Sequence, residues 1–240
     1  MADIAGFPIA SSAIASEAPR HSRLVRVTHW IATLCFFALL VSGLELVVSH
    51  PRFYWGETGN VLTPPLFHIP IPASRSTVPT GYNYVLPDQN GWSRYLHFQT
   101  AWVAVVTGLI YVLYILFTGH LRKPDFSWRA ISTSITTHLR LKPGDESSYN
   151  ALQRLSYLFV IFILSPLIVW TGLAMSPAVT AAFPFTVTAF GGQQSARTIH
   201  FFVTLLFVAF LLVHVLMISI SGFRNRMRAM ITGRASKDQA

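Results

Sequence analysis

Four of the nine histidines, His29, His97, His200 and His214, lie inside long apolar stretches of the chain. An imidazole ligates transition metals through a neutral ring nitrogen, and an ionisable group inside a membrane helix is costly enough to point to function. His200 and His214 are separated by 14 residues. On an α-helix that interval rises about 21 Å and falls only about 40° short of four full turns. Both rings therefore leave one helix face, at two depths. Which of the other two histidines share those depths depends on the direction in which each helix runs.

The elements that carry them are four apolar stretches, 27–48, 95–118, 155–175 and 198–221, each close to the roughly 20 residues that cross a bilayer. Glu45 is their only carboxylate, and they contain no Lys or Arg. Hydrophobic residues make up 52% of the 240-residue chain and charged residues only 11%, well below the roughly one quarter usual in soluble domains. A transmembrane four-helix, all-α fold is expected. Net charge is +9, and of the 18 basic residues 14 lie on one side of the spans and four, Arg52, Arg75, Arg94 and Arg197, on the other. Basic residues near helix ends stay cytoplasmic. Both termini are thus placed inside, and the charge is read as topology, which leaves no nucleic-acid partner to expect. Residues 1–22 read as a cytoplasmic tail and 23–240 as one membrane domain. The apolar run 179–190, broken by Pro184, is expected in the interface, with no fifth span.

With that orientation His29 and His214 fall near the cytoplasmic level, and His97 and His200 near the outer level. Two imidazoles facing one another from different helices supply both axial ligands of a haem iron. A zinc site would need four converging ligands. The single cysteine, Cys35, and the lack of a C-x-x-C-H run exclude a disulfide framework, an iron–sulfur cluster and covalent c-type haem attachment. No Ser-His-Asp order, paired carboxylates or phosphate-binding loop is present. Gly43 follows His29 by 14 residues and lies at the outer level, and Gly108 follows His97 by 11 and lies toward the inner one. Both leave room for a flat macrocycle or for close helix packing. Arg197, three residues before His200, is the candidate partner for a haem propionate, with His120 as a fallback ligand on the inner side.

The outer segment 49–94 is rich in Pro, Gly and aromatic residues, too aromatic for disorder and too long for a plain connection. It is expected to be a folded platform for a partner, so that trimming Tyr54–Asn60 releases the partner and leaves the haem spectrum intact. On the inner face Trp128, Ile131, Ile135 and Leu139 form an amphipathic stripe on membrane lipid, repeated by Phe223, Met227, Met230 and Ile231 after the last span.

From His21 to Gly233 the chain resembles the four-helix cytochrome b subunits of membrane-bound hydrogenases, formate dehydrogenases and thiosulfate-reductase-like complexes. The resemblance rests on Arg26-Val-Thr-His29-Trp30 and on the 14-residue pair His200 and His214. It implies two non-covalent b haems held by His29, His97, His200 and His214, in the bacterial inner membrane. The outer run His50-Pro-Arg-Phe-Tyr-Trp-Gly-Glu-Thr-Gly59, with Gly172-Leu-Ala-Met-Ser-Pro177 and Phe190-Gly-Gly-Gln-Gln-Ser-Ala-Arg-Thr-Ile-His200, is similar to a branch that works with a periplasmic molybdopterin oxidoreductase. An electron-transfer subunit linking that partner to membrane quinone is therefore expected, the quinone near Asp145, Glu146, Asn150 and Arg154. The alternatives are a self-contained haem reductase and a small His-relay transporter. Discontinuous helices and midplane carboxylates, which a transporter would use, are missing.

Overall fold

A computed structural model of the chain describes residues 22–60, 62–70, 89–118, 155–220 and 222–233. The long apolar runs form helices because a bilayer offers no other partner for backbone N–H and C=O groups. Among the described residues four helices are long and apolar enough to cross it: α1 Arg23–Ser49, α2 Gln89–Phe117, α3 Leu155–Ala174 and α6 Gln193–Ile220. Between α3 and α6 lie the short helices α4 Pro177–Ala182 and α5 Phe185–Thr188, separated at Pro184, so 177–190 contributes no further span. After α6 comes α7 Phe223–Thr232.

The bundle is built from two packed pairs, α1 on α2 and α3 on α6. Large apolar side chains such as Leu34, Val41, Leu109, Leu212 and Val213 point outward, as lipid-facing residues do. Small residues occupy the helix contacts instead: Ser42, Thr171, Ala174, Ser195, Ala196 and Thr198 are buried. In α3 the turns over Val160–Leu164 widen to a π-helix just before Pro166. Pro166 has no N–H and its ring crowds the carbonyl four residues back, and the wider turn absorbs both effects. The hydroxyl of Ser165 donates to the Val160 carbonyl (2.8 Å), which keeps that oxygen satisfied.

One expectation needs correction. Helix α2 begins at Gln89 and α6 at Gln193, each about a turn and a half before the apolar stretch begins. Hydropathy reports only the lipid-embedded part of a helix, whereas the backbone ladder continues into the polar interface. Trp92 and Arg94 therefore belong to α2 and not to the outer loop, and Arg197 lies in the second turn of α6. The fold also contains a minimal antiparallel hairpin, β1 Arg52–Phe53 and β2 Phe67–His68, with Arg52 opposite His68 and Phe53 opposite Phe67. Residues Tyr54–Asn60 pack against the start of α6. The Gly56 carbonyl accepts the N–H groups of Gln194 and Ser195 (3.0 and 3.2 Å), and a Glu57 carboxylate oxygen accepts that of Gln193 (3.3 Å). These are the donors that a helix N-terminus leaves without an intrahelical partner, and a carboxylate there also suits the helix dipole.

The same segment is held from the other side. Gly56 N–H donates to the Ser195 hydroxyl (2.7 Å), and the Thr198 hydroxyl donates to the Tyr54 carbonyl (2.7 Å). Phe53 stacks on Phe67 at 4.7 Å and meets Phe201 of α6 at 4.5 Å, fastening the hairpin to the helix. Gly192, at φ +132°, permits this approach: a Cβ there would collide with the Gly56 carbonyl and the Glu57 nitrogen. At the opposite end α7 is tied to α1, since the Arg26 guanidinium donates to the Ile231 carbonyl (2.8 Å) and the Trp30 indole to that of Met230 (3.3 Å). The expected amphipathic segment around 128–139, the tail 1–21, His120 and the group Asp145, Glu146, Asn150 and Arg154 lie outside the described residues.

Candidate functional site: two facing histidine pairs

Helix α6 contributes one ring to each pair. His200 faces His97 of α2 with ring centres 6.3 Å apart and planes at 58°, and His214 faces His29 of α1 at 6.4 Å and 46°. A metal–imidazole bond of about 2 Å, plus about 1.1 Å from nitrogen to ring centre, places two rings that ligate one ion from opposite sides about 6.2 Å apart. Both pairs have that separation. Among the described residues no three of His, Cys, Asp and Glu converge as a metal site would require. The donor sets are thus pairs of imidazoles, which suit an iron whose equatorial positions are filled by a macrocycle.

The outer pair is held by hydroxyl groups that spacing alone did not reveal. Ser42 Oγ of α1 lies 2.9 Å from His97 Nδ1, and Thr171 Oγ1 of α3 lies 2.9 Å from His200 Nδ1. Each hydroxyl residue is followed by a glycine. A Cβ on Gly43 would sit 3.5 Å from His97 Cε1, and one on Gly172 would sit 3.6 Å from His200 Cε1. Both rings therefore lie against bare backbone on one side. At the inner level Tyr157 of α3 turns its hydroxyl toward His214 Nδ1 at 3.4 Å, a longer and weaker contact. Phe210 stacks on the same ring at 5.7 Å, and Trp30 meets His29 edge-on at 5.4 Å.

A sequence signal for the α3 contacts exists. Tyr157 and Thr171 are 14 residues apart, the interval of His200 and His214, so two neighbouring helices running in opposite directions present matched contacts at both depths. For Ser42 there is no such signal, since Ser or Thr precedes glycine at eight places in the chain.

Of the other expected site residues, Gly43 touches the outer pair as described, whereas a Cβ on Gly108 would meet open space. Arg197 lies one turn outward of His200, but its guanidinium is engaged by the loop. It donates to the carbonyls of Arg52 (3.1 Å) and His50, and lies 4.9 Å above the Phe53 ring. A planar group with five N–H donors braces the hairpin in this way.

Comparison with known proteins agrees with this arrangement. A family model described as prokaryotic cytochrome b561 matches residues 20–233. A relative from Azospira oryzae, named "Putative protein-methionine-sulfoxide reductase subunit YedZ1", is 31% identical over 222 residues, which cover 89% of this chain and 96% of the relative.

Proposed function

The chain belongs to the prokaryotic cytochrome b561 family, a multi-pass membrane haem protein, and from that premise we propose that it binds two b haems and conducts electrons across the bilayer. His97 and His200 would hold the outer haem, and His29 and His214 the inner one. The observation that carries this reading is the two imidazole pairs at 6.3 and 6.4 Å, each sharing α6. Haem iron ligated by two imidazoles supplies one-electron transfer. The chain's part is to fix two ring pairs at set depths and to exclude water from them with apolar helix faces. Arg197 would place positive charge beside the outer site while bracing the hairpin.

The excess of basic residues on one side supports cytoplasmic termini and an outer location for the Arg52–His68 hairpin. A reductase subunit on the outer face, of the molybdopterin type implied by the resemblance, would exchange electrons with the outer haem. The name of the Azospira relative, a subunit of a methionine-sulfoxide reductase, supports a partner that reduces sulfoxides. Membrane quinone would react at the inner end, near His214. A reduced-minus-oxidised visible spectrum of the purified chain, combined with haem extraction, tests this reading. Two low-spin b haems per chain are expected, and a yield of one or none overturns it.

A further inference from the structure

The outer imidazoles share a constraint set by two short hydroxyl contacts. A hydroxyl has one proton. That of Ser42 is directed to the Ala38 carbonyl at 2.7 Å, with Leu39 at 3.2 Å, and that of Thr171 to Leu167 at 2.8 Å, with Ile168 at 3.0 Å. Each hydroxyl oxygen therefore offers a lone pair to the ring nitrogen 2.9 Å away. Nδ1 must then be the protonated nitrogen in both His97 and His200, which turns Nε2 into the lone-pair donor. The glycines beside Cε1 let each ring lie close to the helix that carries its hydroxyl acceptor.

We propose that Ser42 and Thr171, with Gly43 and Gly172, are paired positioning residues that fix the tautomer and orientation of the two outer histidines, and thereby the affinity and potential of the outer haem alone. The proposal rests on the ligand assignment above. Donation from Nδ1–H to an acceptor raises ligand basicity at the other nitrogen. An electron-rich pair of imidazoles favours the oxidised iron. Losing the hydroxyls should raise the potential of the outer haem and loosen its grip on the iron. The Tyr157 hydroxyl makes only a longer contact with His214, 3.4 Å, so the inner haem should be unaffected.

The test uses the full-length haem-loaded chain in detergent or nanodiscs, with Ser42→Ala, Thr171→Val and the double variant. Redox titration and low-temperature electron paramagnetic resonance resolve the two haems, and transfer to excess apomyoglobin reports retention. Each single variant is expected to weaken retention of the outer haem about tenfold, since outer-shell partners typically contribute 10- to 100-fold in metal affinity. It should also raise that haem's potential and shift its resonance, while the inner haem keeps its own. Thr171→Ser and Ser42→Thr restore the hydroxyl and should restore the wild-type values. Thr107→Val removes a buried hydroxyl that bonds its own helix at the Val103 carbonyl, and should change neither haem. Unchanged outer-haem properties in the double variant would overturn the proposal, and so would equal shifts at both haems or failure of the conservative variants to restore. A separate His97→Leu chain examines the ligand assignment itself: if it keeps both haems, that assignment fails, whatever the hydroxyl variants do.

Discussion

Adding a single methyl group at Gly192 tests whether the outer loop and α6 are one structural unit. The backbone there has φ +132°, a conformation that L side chains rarely adopt, and the new Cβ would strike the Gly56 carbonyl and the Glu57 nitrogen. The loop must retreat, and three hydrogen bonds centred on Gly56 go with it: those from Gln194 and Ser195 to its carbonyl, and that from its own N–H to the Ser195 hydroxyl. At about 0.5–1.5 kcal/mol net for each bond, these sum to about 1.5–4.5 kcal/mol. A left-handed backbone adds about 1–2 kcal/mol for a residue with a Cβ. The combined cost of about 2.5–6.5 kcal/mol corresponds to an opening equilibrium larger by about 10²- to 10⁵-fold. Hydrogen exchange of Tyr54–Asn60 and Gln194–Ala196, read by mass spectrometry, measures this directly. The control is Gly191→Ala. That residue also has positive φ, +73°, but a Cβ there meets open space, so it bears the strain without the collision. Equal protection in the two variants would refute the reasoning.

Two further outcomes are expected. Replacing His214 by Leu should remove the inner haem, leave the His97 and His200 haem in place and abolish reaction with quinone, while a reductase partner still reduces the outer haem. Spectra of that chain that retain both haems, or lose the outer one first, would count against it. His50, just beyond α1, has its imidazole held below the ordinary histidine value by burial, and then by the positive charges of Arg197 and Arg94. The unfolded chain therefore protonates first as pH falls. Stability that is complete above about pH 6.5 should decline as pH drops through that value toward the folded one. His50→Gln should flatten this acid limb in a thermal-unfolding series, and an unchanged limb would exclude His50 as its source.

Much of this architecture is legible from residue spacing because a bilayer leaves a chain few choices. Four apolar runs give the spans, and their alternation in direction plus a 14-residue interval gives the histidines that share a depth. Such inference fails where contacts join residues far apart in sequence. Gly56 and Ser195 are 139 positions apart, and nothing local marks the loop around Tyr54 as the N-terminal cap of α6. Ser42 and Thr171 escape notice for another reason: Ser and Thr in membrane helices commonly bond back to their own backbone, and only the facing ring distinguishes these two. The polar starts of α2 and α6 are invisible to hydropathy because they lie outside the lipid.

The unbroken course of α6 from Gln193 to Ile220 has a consequence for control. On the proposed reading one continuous helix carries a ligand for each haem, so their spacing is set by a covalent ruler of 14 residues, about 21 Å of rise. Neither loop motion nor a change in bilayer thickness can lengthen or shorten it. On the proposed reading, the rate of the internal hop is tuned only by the difference in driving force between the two sites. Gating must then occur at the two ends, where electrons enter and leave. Removing one residue between His200 and His214 would swing one ring by about 100° relative to the other, so length changes within this stretch should be far less tolerated than substitutions.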